Sequence, residues 1–116
     1  MIGEYRNNVI VDKSFSFALK IVAACELLDE HRKYVISNQL LKSGTSIGAS
    51  VREAQGAESK ADFIHKLKIA FKEAEETEYW LLICKYSPNY PVDENLLKDN
   101  KELMRILSKI IISSKE

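Results

Sequence analysis

Residues 39–53 read Gln-Leu-Leu-Lys-Ser-Gly-Thr-Ser-Ile-Gly-Ala-Ser-Val-Arg-Glu, and this stretch decides the fold. Leu40, Ile47 and Val51 recur at helical spacing, with Ile36 before them and Ala54 after. Between them stand Ser43, Gly44, Thr45, Ser46, Gly48, Ala49 and Ser50, all small. Each glycine costs a helix interior about 1 kcal/mol relative to alanine. A helix that tolerates this needs its backbone close to another backbone, so the stretch predicts tight helix–helix association. Two faces follow from the spacing. Ile36, Leu40, Gly44, Ile47 and Val51 turn inward, while Gln39, Ser43, Ser46, Ser50 and Glu53 form a polar ridge beside them.

Working outward, the flanking sequence is helix-friendly, and its two prolines, Pro88 and Pro91, mark a loop. Four helices are expected, over about 14–31, 35–55, 59–86 and 93–113. Asp12 or Ser14 would cap the first and Gly56 would stop the second. Ser59 with Asp62 gives the third a capping-box-like start, and Asp93 would cap the fourth. Residues 1–12 read as an N-terminal arm and 13–116 as one bundle domain. The third helix carries Ile64, Leu67, Phe71, Ala74, Leu81 and Leu82 as its core stripe; the fourth carries Leu96, Leu103, Leu107 and Ile110. The expected fold is all-α, an antiparallel up-down-up-down four-helix bundle.

One bundle core cannot bury all the apolar surface. The first helix is apolar over more than half its circumference (Phe15, Phe17, Ala18, Ile21, Val22, Ala24, Cys25, Leu28). Tyr79, Trp80 and Ile83 also lie off the third helix's stripe, and such a patch points to a partner surface. Self-association is expected, with the patch closed by a neighbouring copy; the competing expectation is that the arm folds over it.

Composition bounds the rest. Seventeen basic and seventeen acidic residues cancel, so the net charge gives no argument for a nucleic-acid partner. No apolar run is long enough for a membrane span and no basic-then-apolar leader opens the chain, which favours the cytoplasm and no membrane partner. Cys25 and Cys84 are far apart in apolar surroundings and read as buried free thiols. Glu78 falls on the expected stripe of the third helix, where a carboxylate needs a partner. It reads as a buried anchor for the hydroxyls of the polar ridge, against a lesser alternative of proton transfer or metal binding. A di-iron site would need a Glu-x-x-His pair on each of two helices; Asp62-x-x-His65 is one near-match, and His31 has no carboxylate in register. Zinc spacings, a phosphate loop, a nucleophile elbow and a dinucleotide fingerprint are absent, so neither an enzyme nor a metal or other cofactor is expected. Lys98, Lys101, Arg105 and Lys109 recur along one face of the fourth helix, and Lys68 and Lys72 share a face with His65 on the third. Such stripes can track a phosphate backbone, or can be ordinary solvated faces.

Residues 39–82 resemble the small four-helix-bundle proteins encoded within intervening sequences of bacterial large-subunit ribosomal RNA genes. The matching residues are Gln39 to Ser43, Ser46 to Ala49, Glu53-Ala54, Phe63-Ile64, Leu67, Ile69-Ala70, Lys72 to Ala74 and Thr77 to Leu81. Phe15, Ala18, Leu19 and Ile21 extend the match to the first helix. Ser50 departs from it, standing where that family often has Asn. The resemblance implies assembly into a ring-like oligomer, a homopentamer. It also implies similarity to the accessory protein of diversity-generating retroelements, a pentameric adaptor for nucleic acid and a reverse transcriptase. The expected role is a non-enzymatic oligomeric scaffold contacting RNA or DNA through Lys98, Lys101, Arg105 and Lys109, with Lys68 and Lys72; the alternative is a protein–protein adaptor with no nucleic-acid contact. Gln39, Ser43, Gly44, Ser46, Gly48, Ser50, Glu53, Glu78, Tyr79, Trp80 and Ile83 are the expected assembly residues.

Overall fold

Ile10 and Val11 are 2% and 5% exposed, and their burial draws the first helix forward of its expected start. In the computed structural model, which describes residues 8–116, α1 spans Val9–Glu30. Asn8 is extended, and its Nδ2 donates to Gln55 Oε1 at 2.9 Å. Ser14, an expected cap, instead lies inside the helix, buried, donating to the Val11 carbonyl at 3.2 Å. The expected arm is therefore helical from Val9 onward, and residues 1–7 lie outside the described residues.

The remaining helices are α2 (Tyr34–Ala54), α3 (Lys60–Tyr86) and α4 (Asn95–Ser114). Among the described residues there is no strand. The α1–α2 turn places Arg32 at φ 61°, the left-handed conformation usual after a helix end, and Lys33 N–H returns to the Leu28 carbonyl at 2.9 Å. Ser59 caps α3 by accepting from Asp62 N–H at 3.0 Å, as its spacing predicts. α4 starts two residues later than expected, with Asp93 Oδ1 accepting from Asn95 N–H at 2.9 Å.

The four helices pack as a closed cycle, α1 on α2, α2 on α3, α3 on α4, and α4 back on α1, with no close backbone approach across either diagonal among the described residues. The body measures 45 × 24 × 20 Å. Phe17, Ile21, Cys25 and Leu28 of α1 meet Leu40, Ile47 and Val51 of α2 in one core. From α4 come Leu96, Leu103, Leu107 and Ile111, with Ile110 only half-buried.

α3 departs most from expectation. Its buried line is Leu67, Ala70, Ala74, Thr77, Leu81 and Cys84. Ile64, Phe71 and Glu78 are half-buried and Leu82 is exposed, so the helix is rotated by about one residue from the expected stripe. The small Ala70, Ala74 and Thr77 let neighbouring backbones approach, and close packing outweighs the size of Phe71 and Leu82.

Candidate assembly surface

The Ser/Gly stretch of α2 is where two seams become tight. A Cβ built on Gly44 would stand 2.8 Å from Ile21 Cγ1, and one on Gly48 would stand 3.3 Å from the Ser14 carbonyl oxygen. Both glycines therefore serve the approach of α1 to α2. Ser37 reinforces this seam: its hydroxyl donates to the Cys25 carbonyl at 3.1 Å and its carbonyl accepts from Cys25 Sγ at 3.4 Å.

On the α3 side the polar ridge divides. Ser43 is fully buried and its hydroxyl bonds that of Thr77 at 3.0 Å. Ser46 turns back to the Lys42 carbonyl at 2.6 Å. Ser50 is half-buried, Gln39 is exposed, and the exposed Glu53 sits 3.7 Å from Lys66. Thr77 is thus the α3 partner of the ridge, and sequence reasoning missed it because a lone Thr between two Glu reads as surface.

Glu78 does not anchor the ridge. The rotation of α3 carries it to the α4 side, where it pairs with Lys101 at 3.4 Å and keeps 27% of its side chain exposed. The expected outer aromatic group is also corrected. Trp80 and Ile83 are half-buried, and Trp80 packs against the core while its Nε1 donates to Glu76 Oε2 at 3.2 Å. Tyr79 remains outside at 59% exposure and meets Trp80 edge-on, ring centroids 5.3 Å apart. Tyr86, 77% exposed, joins it about two turns further along the same face of α3.

A second apolar surface covers α1 and α2. Phe15, Leu19 and Val22 of α1 and Leu41 of α2 are all exposed. Beside Phe15 runs an open groove of about 240 Å³ lined by Val11, Ala18, Thr45, Gly48, Ala49 and Arg52. The wide apolar arc of α1 is thus real and only half of it faces the core.

The basic residues of α4 are exposed. Lys101 is held by Glu78, whereas Lys98, Arg105 and Lys109 have no ion-pair partner among the described residues. Lys68 and Lys72 are likewise exposed on α3. Burial, helped by the nearby charge of Glu76, raises the Glu73 carboxyl above the usual range against the pull of Lys42. Cys25 and Cys84 are free and buried, and burial pushes the Cys84 thiol up to about 11. Among the described residues no group of His, Cys, Asp or Glu is arranged to hold a metal ion, and His65 is exposed. No described helix is long and apolar enough to cross a membrane.

The all-helical fold agrees with comparisons to known proteins. A model of the 23S rRNA-intervening sequence protein family matches residues 6–113. The chain belongs to that family. A similar solved structure is a protein of unknown function from the S23 ribosomal protein family of Bacteroides thetaiotaomicron VPI-5482. It is 47% identical, superposes with a TM-score of 0.81, and the match covers 88% of this chain and 97% of that one. No curated protein matches.

Proposed function

We propose that the chain is an antiparallel up-down-up-down bundle that assembles with copies of itself into a ring, a homopentamer, and acts as a non-enzymatic cytoplasmic scaffold. Pairings of rising with falling residue numbers support the antiparallel order: Ser14 lies by Gly48 and Ile21 by Gly44, while Ser43 meets Thr77 and Glu53 meets Lys66. The observation that carries self-association is the apolar face of α1 and α2, where Phe15 and Leu19 stand 58% and 57% exposed beside an open groove. Apolar surface of this extent on a small domain favours a protein partner. Light scattering across a concentration series tests it: a multimer of fixed stoichiometry is expected, and a monomer at every concentration would refute it.

The scaffold contacts RNA or DNA through phosphates. Support comes from Lys98, Arg105 and Lys109, exposed on one helix face without ion-pair partners among the described residues. Repeated around an oligomer, the stripe would concentrate positive potential. Charge reversal of these three should abolish a salt-dependent affinity for ribosomal RNA or single-stranded DNA. Unchanged binding would place the contact on other residues, and no salt-dependent binding by the parent would leave the protein–protein adaptor reading, for which a reverse transcriptase is one candidate partner.

A further inference from the structure

The two exposed apolar surfaces lie on different corners of the bundle. One spans α1 and α2; the other is the outer face of α3, whose backbone makes no close approach to that of α1 among the described residues. The surfaces also differ in make-up. The α1/α2 surface holds the groove, whose lining includes Phe15 of α1 and Gly48 and Ala49 of α2. On the α3 surface Tyr79 is 59% exposed and lies edge-on to the half-buried Trp80.

We infer that the two surfaces bind each other between copies, the Tyr79 side chain of one copy filling the Gly48 groove of the next. This rests on the self-association proposed above and specifies it: the contact is heterologous, between unlike faces.

The register of charges and large side chains supports this occupant. On α3, Glu75 precedes Tyr79 by four residues and Tyr86 follows by seven. On α2, Arg52 lies four residues beyond Gly48 and Leu41 seven before it. At 1.5 Å per residue these offsets are about 6 Å and about 10.5 Å on both helices. With Tyr79 seated at Gly48 and the helices running in opposite directions, Glu75 falls level with Arg52 and Tyr86 level with Leu41. Arg52 lines the groove, and neither it nor Glu75 has an ion-pair partner among the described residues. The contact therefore joins an aromatic anchor to a pocket and a cation to an anion at once. Tyr79 is well suited to be that anchor, because its edge contact with Trp80 limits the rotamer freedom lost on docking. An α3 antiparallel to the neighbour's α2 leaves successive bundles with the same end up. Unlike faces then generate a ring if the rotation closes.

Complementation between two variants tests the pairing. Tyr79→Arg spoils the knob and sets a cation against Arg52; Phe15→Glu spoils the groove and sets an anion against Glu75. Both positions are solvent-exposed, and unchanged helical circular dichroism with a cooperative melt checks that each variant folds. Each alone should lose self-association by ~30-fold or more, the scale of a hot-spot truncation. Mixed in equal amounts, they should form complexes containing both, since the groove of one and the knob of the other are intact. Three results would overturn the inference. A Tyr79→Arg variant that assembles like the parent would point to a contact between like α1/α2 faces and leave the scaffold reading standing. A Phe15→Glu variant with unchanged mass would mean that something else, such as residues 1–7, covers the groove. A monomeric parent would sink this pairing and the scaffold reading together.

Discussion

Ser43 and Thr77 join their hydroxyls at 3.0 Å in the sealed seam between α2 and α3, each fully buried. Thr77 Oγ1 also lies 2.8 Å from the Glu73 carbonyl. One hydroxyl proton cannot fully serve both acceptors, so the two hydroxyls together supply what the seam needs. Thr77→Val leaves the buried Ser43 hydroxyl without its partner, and a buried unsatisfied hydroxyl costs about 1–3 kcal/mol, whereas Ser43→Ala leaves Thr77 its bond to the Glu73 carbonyl. Thr77→Val should lower stability by about 1 kcal/mol in urea titrations and Ser43→Ala by less, and the double variant should cost less than the sum. Additive losses would show that the hydroxyls act independently.

Gly44→Ala should destabilise despite its better helix propensity. Three carbons of Ile21 lie within 2.8–3.0 Å of the added methyl, and overpacking of this kind typically costs about 1–3 kcal/mol against a propensity gain of about 1 kcal/mol. Trimming Ile21 to Val in the same chain should return part of the loss. A melting temperature at or above the parent's for Gly44→Ala alone would contradict the close approach.

Asn100 is 0% exposed; its Nδ2 donates to the Ala74 carbonyl at 2.9 Å and its Oδ1 has no partner. The orphaned oxygen makes this a poor bond to retain for stability alone. Asn100→Leu should match or exceed the parent's stability, because replacing a half-satisfied polar group by an apolar one removes its desolvation penalty. A loss beyond about 1 kcal/mol would mean that Oδ1 is satisfied in solution.

Glu78→Gln separates a rim ion pair from a buried anchor. With its partner Lys101 66% exposed, the pair should be worth no more than about 1 kcal/mol and should weaken in salt. A loss of several kcal/mol, insensitive to salt, would restore the buried-anchor expectation.

The Cys84 thiol, raised from 9.0 to about 11 mainly by burial with the nearby Cys25 adding to it, gives a pH prediction. Its folded value lies above the unfolded one, so its stabilising contribution is complete below pH 9 and disappears as pH rises through about 11. The stability advantage of the parent over Cys84→Ala should shrink across that window. At neutral pH a disulfide reagent should label the native protein only as fast as it opens.

How much of this was legible in the sequence differs by helix. A tight helix–helix approach could be read from residues 39–53, because glycines inside a periodic helix have few other uses, but that α1 is the helix approaching Gly44 and Gly48 could not. The α3 face could not: Phe71 and Leu82 outweigh Ala70 and Thr77 on any scale of hydrophobicity, yet the smaller side chains took the core. Periodicity locates a stripe to within a residue or so of rotation, and in α3 that one step decided the surroundings of Glu78, Trp80 and Tyr79. Asn100 was equally hidden, since a polar residue between Asp99 and Lys101 carries no mark of burial. The start of α1 shifted for a related reason, because burial of Ile10 and Val11 is a tertiary fact.

The cycle of four seams has one with a different character. α1/α2, α2/α3 and α3/α4 each join helices adjacent in the chain, whereas α1/α4 closes the circle and is the least extensive. Two solvent-facing ion pairs cross it, Lys13 with Glu102 at 3.1 Å and Lys20 with Asp99 at 2.9 Å. Salt screens such pairs, and they add little against opening. This seam is therefore the protein's latch: native-state hydrogen exchange should find its amides opening ahead of those between α1 and α2, and sooner in high salt. A lifted latch would bring Leu96, Leu103 and Leu107 of α4 to water along the α1 side first, while the more extensive α3 seam still holds the helix.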